Sequence, residues 1–83
     1  MMGKVLVAMR VFPVEGQDAA ELAERVKAVE GCNTSKVEDY VFGTKIVKAS
    51  FVCEDGENRD FEEEVKKIAG VSEVQVDEVG LVS

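Results

Sequence analysis

Apolar residues recur at every second position in two stretches of this 83-residue chain. Such alternation is typical of β-strands that bury one face. Positions 4–12 predict a first strand, which should end at Pro13 because proline cannot donate to a sheet ladder. Positions 45–53 predict another strand of the same kind. The residues expected on the two core faces are Val5, Val7, Met9 and Val11, followed by Val47, Ala49, Phe51 and Cys53.

Two further strands are predicted with less regular patterns. Positions 33–41 are more polar, and their charged residues indicate an edge strand or one with an exposed face. The last strand runs over 71–82, where Val74 and Val76 alternate and a β-bulge is expected at 77–78.

Apolar residues at helical spacing predict two helices, at 19–29 and 61–69. Asp18 and Asp60 precede them, and each is followed three residues later by a glutamate, which is the pattern of a capping box. Glycines end both helices. The expected core stripes are Ala19, Leu22, Ala23, Val26 and Val29 in the first helix, and Phe61, Val65, Ile68 and Ala69 in the second.

The predicted order is β-α-β-β-α-β, which indicates an α+β fold of the ferredoxin-like class in one domain over residues 1–83. Right-handed crossovers would place both helices on one face of a four-stranded antiparallel sheet. The opposite face should be a mixed surface, carrying Leu6, Ala8, Arg10, Phe12, Ile46 and Lys48.

The stretch 39–45 connects the two halves, and the gap is short enough to predict a hairpin. Gly43 can adopt positive φ there without steric cost. Tyr40 and Phe42, two of the chain's five aromatic residues, lie at this turn. Exposed aromatic side chains on a turn indicate a contact site. The alternative is that one of them covers the edge of the core.

The net charge of −7 is unevenly distributed. Residues 1–53 carry seven basic and seven acidic side chains, whereas residues 54–83 carry ten acidic and three basic ones. Because nucleic-acid binding needs a basic surface, we expect no direct nucleic-acid partner. A basic protein partner or simple solubility fits the acidic half better. Its glutamates at 62–64 suit the start of a helix, which we favour over a metal site.

The residues needed for catalysis or metal binding are scarce. The chain has no histidine, and its two cysteines, Cys32 and Cys53, are too few for a zinc site. Both are interpreted as structural, with a disulfide between them left open. No phosphate-binding or nucleophile motif occurs, so we expect neither an enzyme nor a cofactor or metal. The longest apolar run, 5–9, is too short to span a bilayer, and a cytoplasmic protein is expected.

Four short motifs add a resemblance. They are the start at 2–5 with a valine-rich strand ending at 12–13, the turn at 42–45, the strand end at 53–55, and the passage at 70–76. Together, with matching spacing over nearly the whole chain, they resemble the archaeal elongation factor 1-beta family and its eukaryotic guanine-exchange domain. The resemblance implies an interaction protein that promotes exchange of GDP for GTP on the translation GTPase elongation factor 1-alpha.

The resemblance also implies where this partner binds. Phe42 matches the aromatic residue that pushes against the GTPase in eukaryotic relatives, and Gly43 and Lys45 match the same motif. With the turn aromatic Tyr40, these residues form the predicted contact. Eukaryotic members end in a lysine that intrudes on the magnesium site. This chain lacks it, so a contribution from its end would be steric or apolar, through Leu81. The alternative function is a small-molecule-sensing or dimerising regulatory module of ferredoxin-like fold.

Overall fold

A computed structural model describes residues 3–54 and 60–82. The elements are β1 (Lys4–Pro13), α1 (Ala19–Lys27), β2 (Cys32–Asp39), a single turn (Val41–Gly43), β3 (Lys45–Glu54), α2 (Phe61–Lys66) and β4 (Val71–Val82). This order confirms the predicted β-α-β-β-α-β arrangement. The loop expected at 54–58 lies outside the described residues except for Glu54.

The four strands form one antiparallel sheet in the order β2-β3-β1-β4. The polar strand β2 lies at an edge, as its charges predict. In β4, Met9 pairs with Val76 and Ala8 with Glu78, so Asp77 is the extra residue of a β-bulge. The bulge expected at 77–78 is therefore confirmed.

Both helices pack on the same face of the sheet and share one core. Side chains from β1 and β3, the strands with the clearest alternation, pack there with residues of α1 and α2. Phe51 of β3 and Phe61 of α2 stack with ring centroids 4.9 Å apart. The residues that are completely buried in this core are Met9, Val11, Leu22, Val26, Val47, Phe51 and Val65. The ferredoxin-like fold predicted from the sequence is confirmed.

The helix starts follow the predicted caps. The Asp18 carboxylate accepts a hydrogen bond from the backbone N–H of Glu21, and Asp60 accepts one from Glu63, both at 3.2 Å. These bonds satisfy donors that have no partner within the first turn. The Glu21 carboxylate pairs with Arg25 of the same helix.

Both helices are shorter than predicted: α1 ends at Lys27 instead of Val29, and α2 ends at Lys66 instead of Ala69. The backbone N–H of Ile68 donates to the carbonyl of Val65 at 3.0 Å, an i→i+3 bond that tightens the chain after the helix. Gly70, with φ of 96°, then turns the chain into β4. Val76, predicted as an alternating strand residue of β4, is exposed.

The face of the sheet opposite the helices, here called the helix-free face, differs from the prediction at one residue. Ile46 lies on this face, as expected, but it is completely buried instead of contributing to a mixed surface. The antiparallel register, in which Val47 pairs with Val11, places Ile46 beside Phe12. Phe12 is itself only partly exposed and contacts the ring of Tyr40. A second, smaller patch of buried apolar surface therefore lies beneath the β2–β3 turn.

Candidate functional site

The β2–β3 turn forms a tight, closed tip at one end of the sheet. The N–H of Thr44 donates to the carbonyl of Val41 at 3.1 Å, and the N–H of Tyr40 donates to the carbonyl of Thr44 at 2.7 Å. The central residues Phe42 and Gly43 both have positive φ, 56° and 73°. Two consecutive residues at positive φ are the pattern of a type I′ turn, the turn that matches the twist of a hairpin. Residues 40–45 are called the hairpin tip below.

Positive φ at Gly43 was predicted, but positive φ at Phe42 was not. Asparagine, aspartate or glycine usually occupies the first central position of such turns because bulky residues are strained there. A phenylalanine in this position is therefore a point of backbone strain that the turn itself does not require. The dipeptide Phe42-Gly43, at the position where Asn-Gly is favoured, is the sequence signal that could have revealed this conformation.

The two aromatic residues of the tip have different environments. The Phe42 side chain is fully exposed, with a relative accessibility of 101%. Tyr40 is 37% exposed, and its ring meets that of Phe12 edge-on with centroids 5.3 Å apart. Tyr40 therefore covers the edge of the apolar patch, the alternative that the sequence left open, while Phe42 projects away from the molecule.

An ion pair fixes the base of the tip. The Lys45 ammonium donates to the Asp39 carboxylate, and these residues also pair across β2 and β3. The Lys45 side chain remains more than half exposed. The Lys45–Asp39 ion pair, the Tyr40–Phe12 ring contact and the backbone hydrogen bonds of the turn thus hold the hairpin tip in a defined conformation.

The structure separates Leu81 from the other predicted contact residues. Leu81 pairs with Val5 near the start of β1, whereas the hairpin tip lies beyond Val11, near the end of that strand. Six residues of extended chain, or about 20 Å, lie between those two positions of β1. Leu81 is 74% exposed. Tyr40, Phe42, Gly43 and Lys45 therefore lie together at the hairpin tip, and Leu81 lies at the opposite end of the sheet.

A groove of about 380 Å³ lies near the Leu81 end, between the sheet and the start of α2. Its floor is apolar and its rim carries carboxylates. The main lining residues are Val5, Val7, Val76, Val79, Asp60 and Glu62. The sequence did not predict this groove, because alternation alone gave no sign that α2 would leave part of β4 uncovered.

The acidic side chains beside this groove stabilise α2 by capping and ion pairing. Asp60 caps α2, and the Glu62 carboxylate lies 3.2 Å from the Lys66 ammonium one turn later. The hydrogen bond from Lys66 to Glu62 raises the pKa of that lysine. Within residues 3–54 and 60–82, no group of three or more potential metal ligands converges.

Both cysteines are free thiols. Cys32 Sγ lies 3.4 Å from the carbonyl oxygen of Thr34, to which it donates. Partial burial raises the pKa of the Cys32 thiol, and the nearby Lys27 ammonium opposes this effect. A raised pKa keeps the thiol protonated and unreactive near neutral pH, which agrees with a structural role.

These features define a class, a ferredoxin-like domain with a rigid hairpin tip that presents one fully exposed aromatic side chain. The sequence profile of the EF-1 guanine nucleotide exchange domain matches residues 6–82. The protein named Elongation factor 1-beta from Thermoplasma acidophilum is 31% identical over 88 residues, covering 98% of this chain and 100% of that relative. The chain belongs to the EF-1 guanine nucleotide exchange domain family, and the resemblance found in the sequence is confirmed. No described helix is long and apolar enough to cross a membrane.

Proposed function

We propose that this chain is a translation elongation factor that promotes exchange of GDP for GTP on elongation factor 1-alpha. Membership of the EF-1 guanine nucleotide exchange domain family supports this function. The observation that carries the proposal is the full exposure of the Phe42 side chain, which lies at positive φ on a closed hairpin. The factor acts in the cytoplasm, where translation takes place, and catalyses no covalent chemistry itself.

The exchange factor acts through binding linkage. A protein that binds the nucleotide-free GTPase more tightly than the GDP-bound form lowers the affinity for GDP by the same factor. Phe42 supplies apolar area for that preference, since an aromatic side chain buries about 150–250 Å² when it enters a pocket. Tyr40, Gly43 and Lys45 act by holding the tip in place. The exposed Leu81 provides a separate apolar contact at the opposite end.

The test is the release of fluorescent GDP from the cognate elongation factor 1-alpha, with and without this protein. We expect Phe42→Ala to reduce the stimulated rate by about 10-fold or more, as for truncation of a binding hot spot. Phe42→Leu should retain most of the stimulation because it keeps a large apolar side chain. The melting temperature of each variant separates lost contact from lost folding.

Two results would contradict parts of this proposal. If the wild-type protein does not accelerate GDP release, the exchange function is wrong, and the groove near Leu81 would favour the small-molecule-sensing alternative. If Phe42→Ala is folded and fully active, exchange does not depend on the hairpin tip. The variant Leu81→Ala tests the other predicted contact in the same assay, and an unchanged rate would remove Leu81 from the site.

A further inference from the structure

Three cationic side chains lie side by side across the helix-free face. Lys36 of β2 pairs with Lys48 of β3, and Lys48 pairs with Arg10 of β1. Their side chains share this face because Val47 and Val11, the adjacent residues on β3 and β1, point into the core. Lys36, Lys48 and Arg10 are called the basic row below. Such a row is unexpected in a chain whose net charge is −7.

The three cations of the basic row differ in how closely a carboxylate approaches them. Arg10 Nε lies 3.2 Å from the Asp77 carboxylate, and Lys48 Nζ lies 4.0 Å from that of Glu38. Among the residues that the structure describes, no carboxylate oxygen lies within 4 Å of Lys36 Nζ. Free positive charge therefore increases from the centre of the sheet towards the edge strand.

This arrangement has an energetic cost, because like charges directly opposite each other on neighbouring strands are destabilising. Lysine on an edge strand can protect against edge-to-edge aggregation, which would account for Lys36. It would not account for Lys48, since β3 is an interior strand. A partner that brings negative charge would relieve the repulsion between Lys36 and Lys48.

The basic row is continuous with the hairpin tip. Tyr40 lies four residues after Lys36 on the same face, about 13 Å along the strand, and contacts Phe12 of β1. A protein that receives Phe42 and covers about 13 Å of this face would also reach the basic row. The tip and the basic row together form one surface.

We propose that the basic row docks on a carboxylate-bearing surface of the GTPase that receives Phe42, an inference that rests on the proposed function. A protein surface fits better than a nucleic acid. Glu38 and Asp77 border the row, and they would repel an extended phosphate backbone, which needs cations along its length. A short acidic loop can reach the lysines without meeting both carboxylates.

The experiment compares Lys36→Gln/Lys48→Gln with the control Lys27→Gln/Lys67→Gln. The control removes the same charge from exposed lysines at the ends of the two helices. Stimulated GDP release is measured against the concentration of the exchange factor at low and high salt. We expect the half-saturating concentration of the basic-row variant to rise about 5-fold or more at low salt, with an unchanged maximal rate. The control should resemble the wild type.

The outcomes separate this inference from the proposed function. If the wild type stimulates GDP release and both double variants behave alike, the docking inference is wrong and the exchange function stands. If the wild type gives no stimulation, both are overturned. If the wild type binds a labelled single-stranded RNA oligonucleotide and the basic-row variant does not, the row recognises phosphate and the inference is also overturned. Melting temperatures confirm folding, since removing the repulsion between Lys36 and Lys48 should not lower stability.

Discussion

Phe42 and Gly43 are consecutive residues in left-handed backbone conformation, with φ of 56° and 73°. Glycine adopts this conformation freely, whereas a bulky residue is destabilised by about 1–2 kcal/mol. The fully exposed Phe42 side chain gains no burial that would offset this strain. The hairpin tip therefore combines Gly43, the residue best suited to the turn, with Phe42, which strains it.

The first prediction is that Phe42→Asn stabilises the fold. Asparagine tolerates left-handed backbone, and Asn-Gly is favoured in type I′ turns. The free energy of unfolding should rise by about 0.5–1 kcal/mol, measured as a higher melting temperature or urea midpoint. The same variant should lose stimulated GDP release, like Phe42→Ala.

A matched control lies at the next position. A Cβ atom at Gly43 would meet no other atom within 4 Å, so Gly43→Ala tests the backbone conformation alone. It should lower stability by about 1 kcal/mol. If Phe42→Asn were instead less stable than the wild type, the Phe42 side chain would have to contribute to folding, contrary to its exposure.

The second prediction concerns Gly70, where the chain enters β4. Gly70 has φ of 96°, and a Cβ atom there would lie 2.8 Å from Gln17 Cδ and 3.1 Å from Arg25 Nη1. Arg25 Nη1 donates to Gln17 Oε1 at 3.1 Å and to the carbonyl of Ala69 at 2.8 Å, linking α1 to the segment between α2 and β4. Gly70→Ala should therefore disturb this link in addition to straining the backbone.

Gly16→Ala is the comparison, because Gly16 has a similar φ of 86° but no atom within 4 Å of its Cβ position. We expect Gly16→Ala to lower the free energy of unfolding by about 1–2 kcal/mol, and Gly70→Ala to lower it by more. Urea denaturation measures both changes. Equal losses at the two sites would show that Gln17 and Arg25 move aside without cost.

The third prediction tests the core. Leu22 is completely buried in α1, and Leu22→Ala should lower the free energy of unfolding by about 2–4 kcal/mol through lost burial and a residual cavity. Val79→Ala, at a residue that is 63% exposed, should change it by less than about 0.5 kcal/mol. Chemical denaturation of both variants measures the difference, and a change within error at Leu22 would refute the core assignment.

The fourth prediction concerns pH and the Cys32 thiol. Burial raises the pKa of Cys32 above its ordinary value of 9.0. The pH profile of iodoacetamide alkylation, measured on Cys53→Ser, should therefore have its inflection above 9.0 in the folded protein and near the ordinary value in denaturant. Because the folded state keeps the proton longer, this group's contribution to stability should fall as pH rises above 9.0. A folded-state inflection below that of the denatured chain would contradict the burial of the thiol.

Local sequence determined most of the fold. The alternation in β1 and β3, the apolar stripes of α1 and α2, and the caps Asp18 and Asp60 act over a few residues, so the chain alone reveals them. The edge position of β2 and the bulge near Asp77 also followed from charge and pattern. The position of Gly43 and the neighbouring aromatic residues was sufficient to identify the hairpin tip as the candidate contact.

The tertiary structure determined the features that depend on contacts between residues far apart in the sequence. Ile46 is buried because the sheet register places it beside Phe12, and no local pattern reports that register. Leu81 lies far from Phe42 because β4 pairs antiparallel with β1, which places Leu81 opposite Val5. The basic row exists only because three strands align Lys36, Lys48 and Arg10, which are spread over 39 positions of the chain. Strand pairing, which joins residues far apart in sequence, is the physical reason why only the folded molecule shows these relationships.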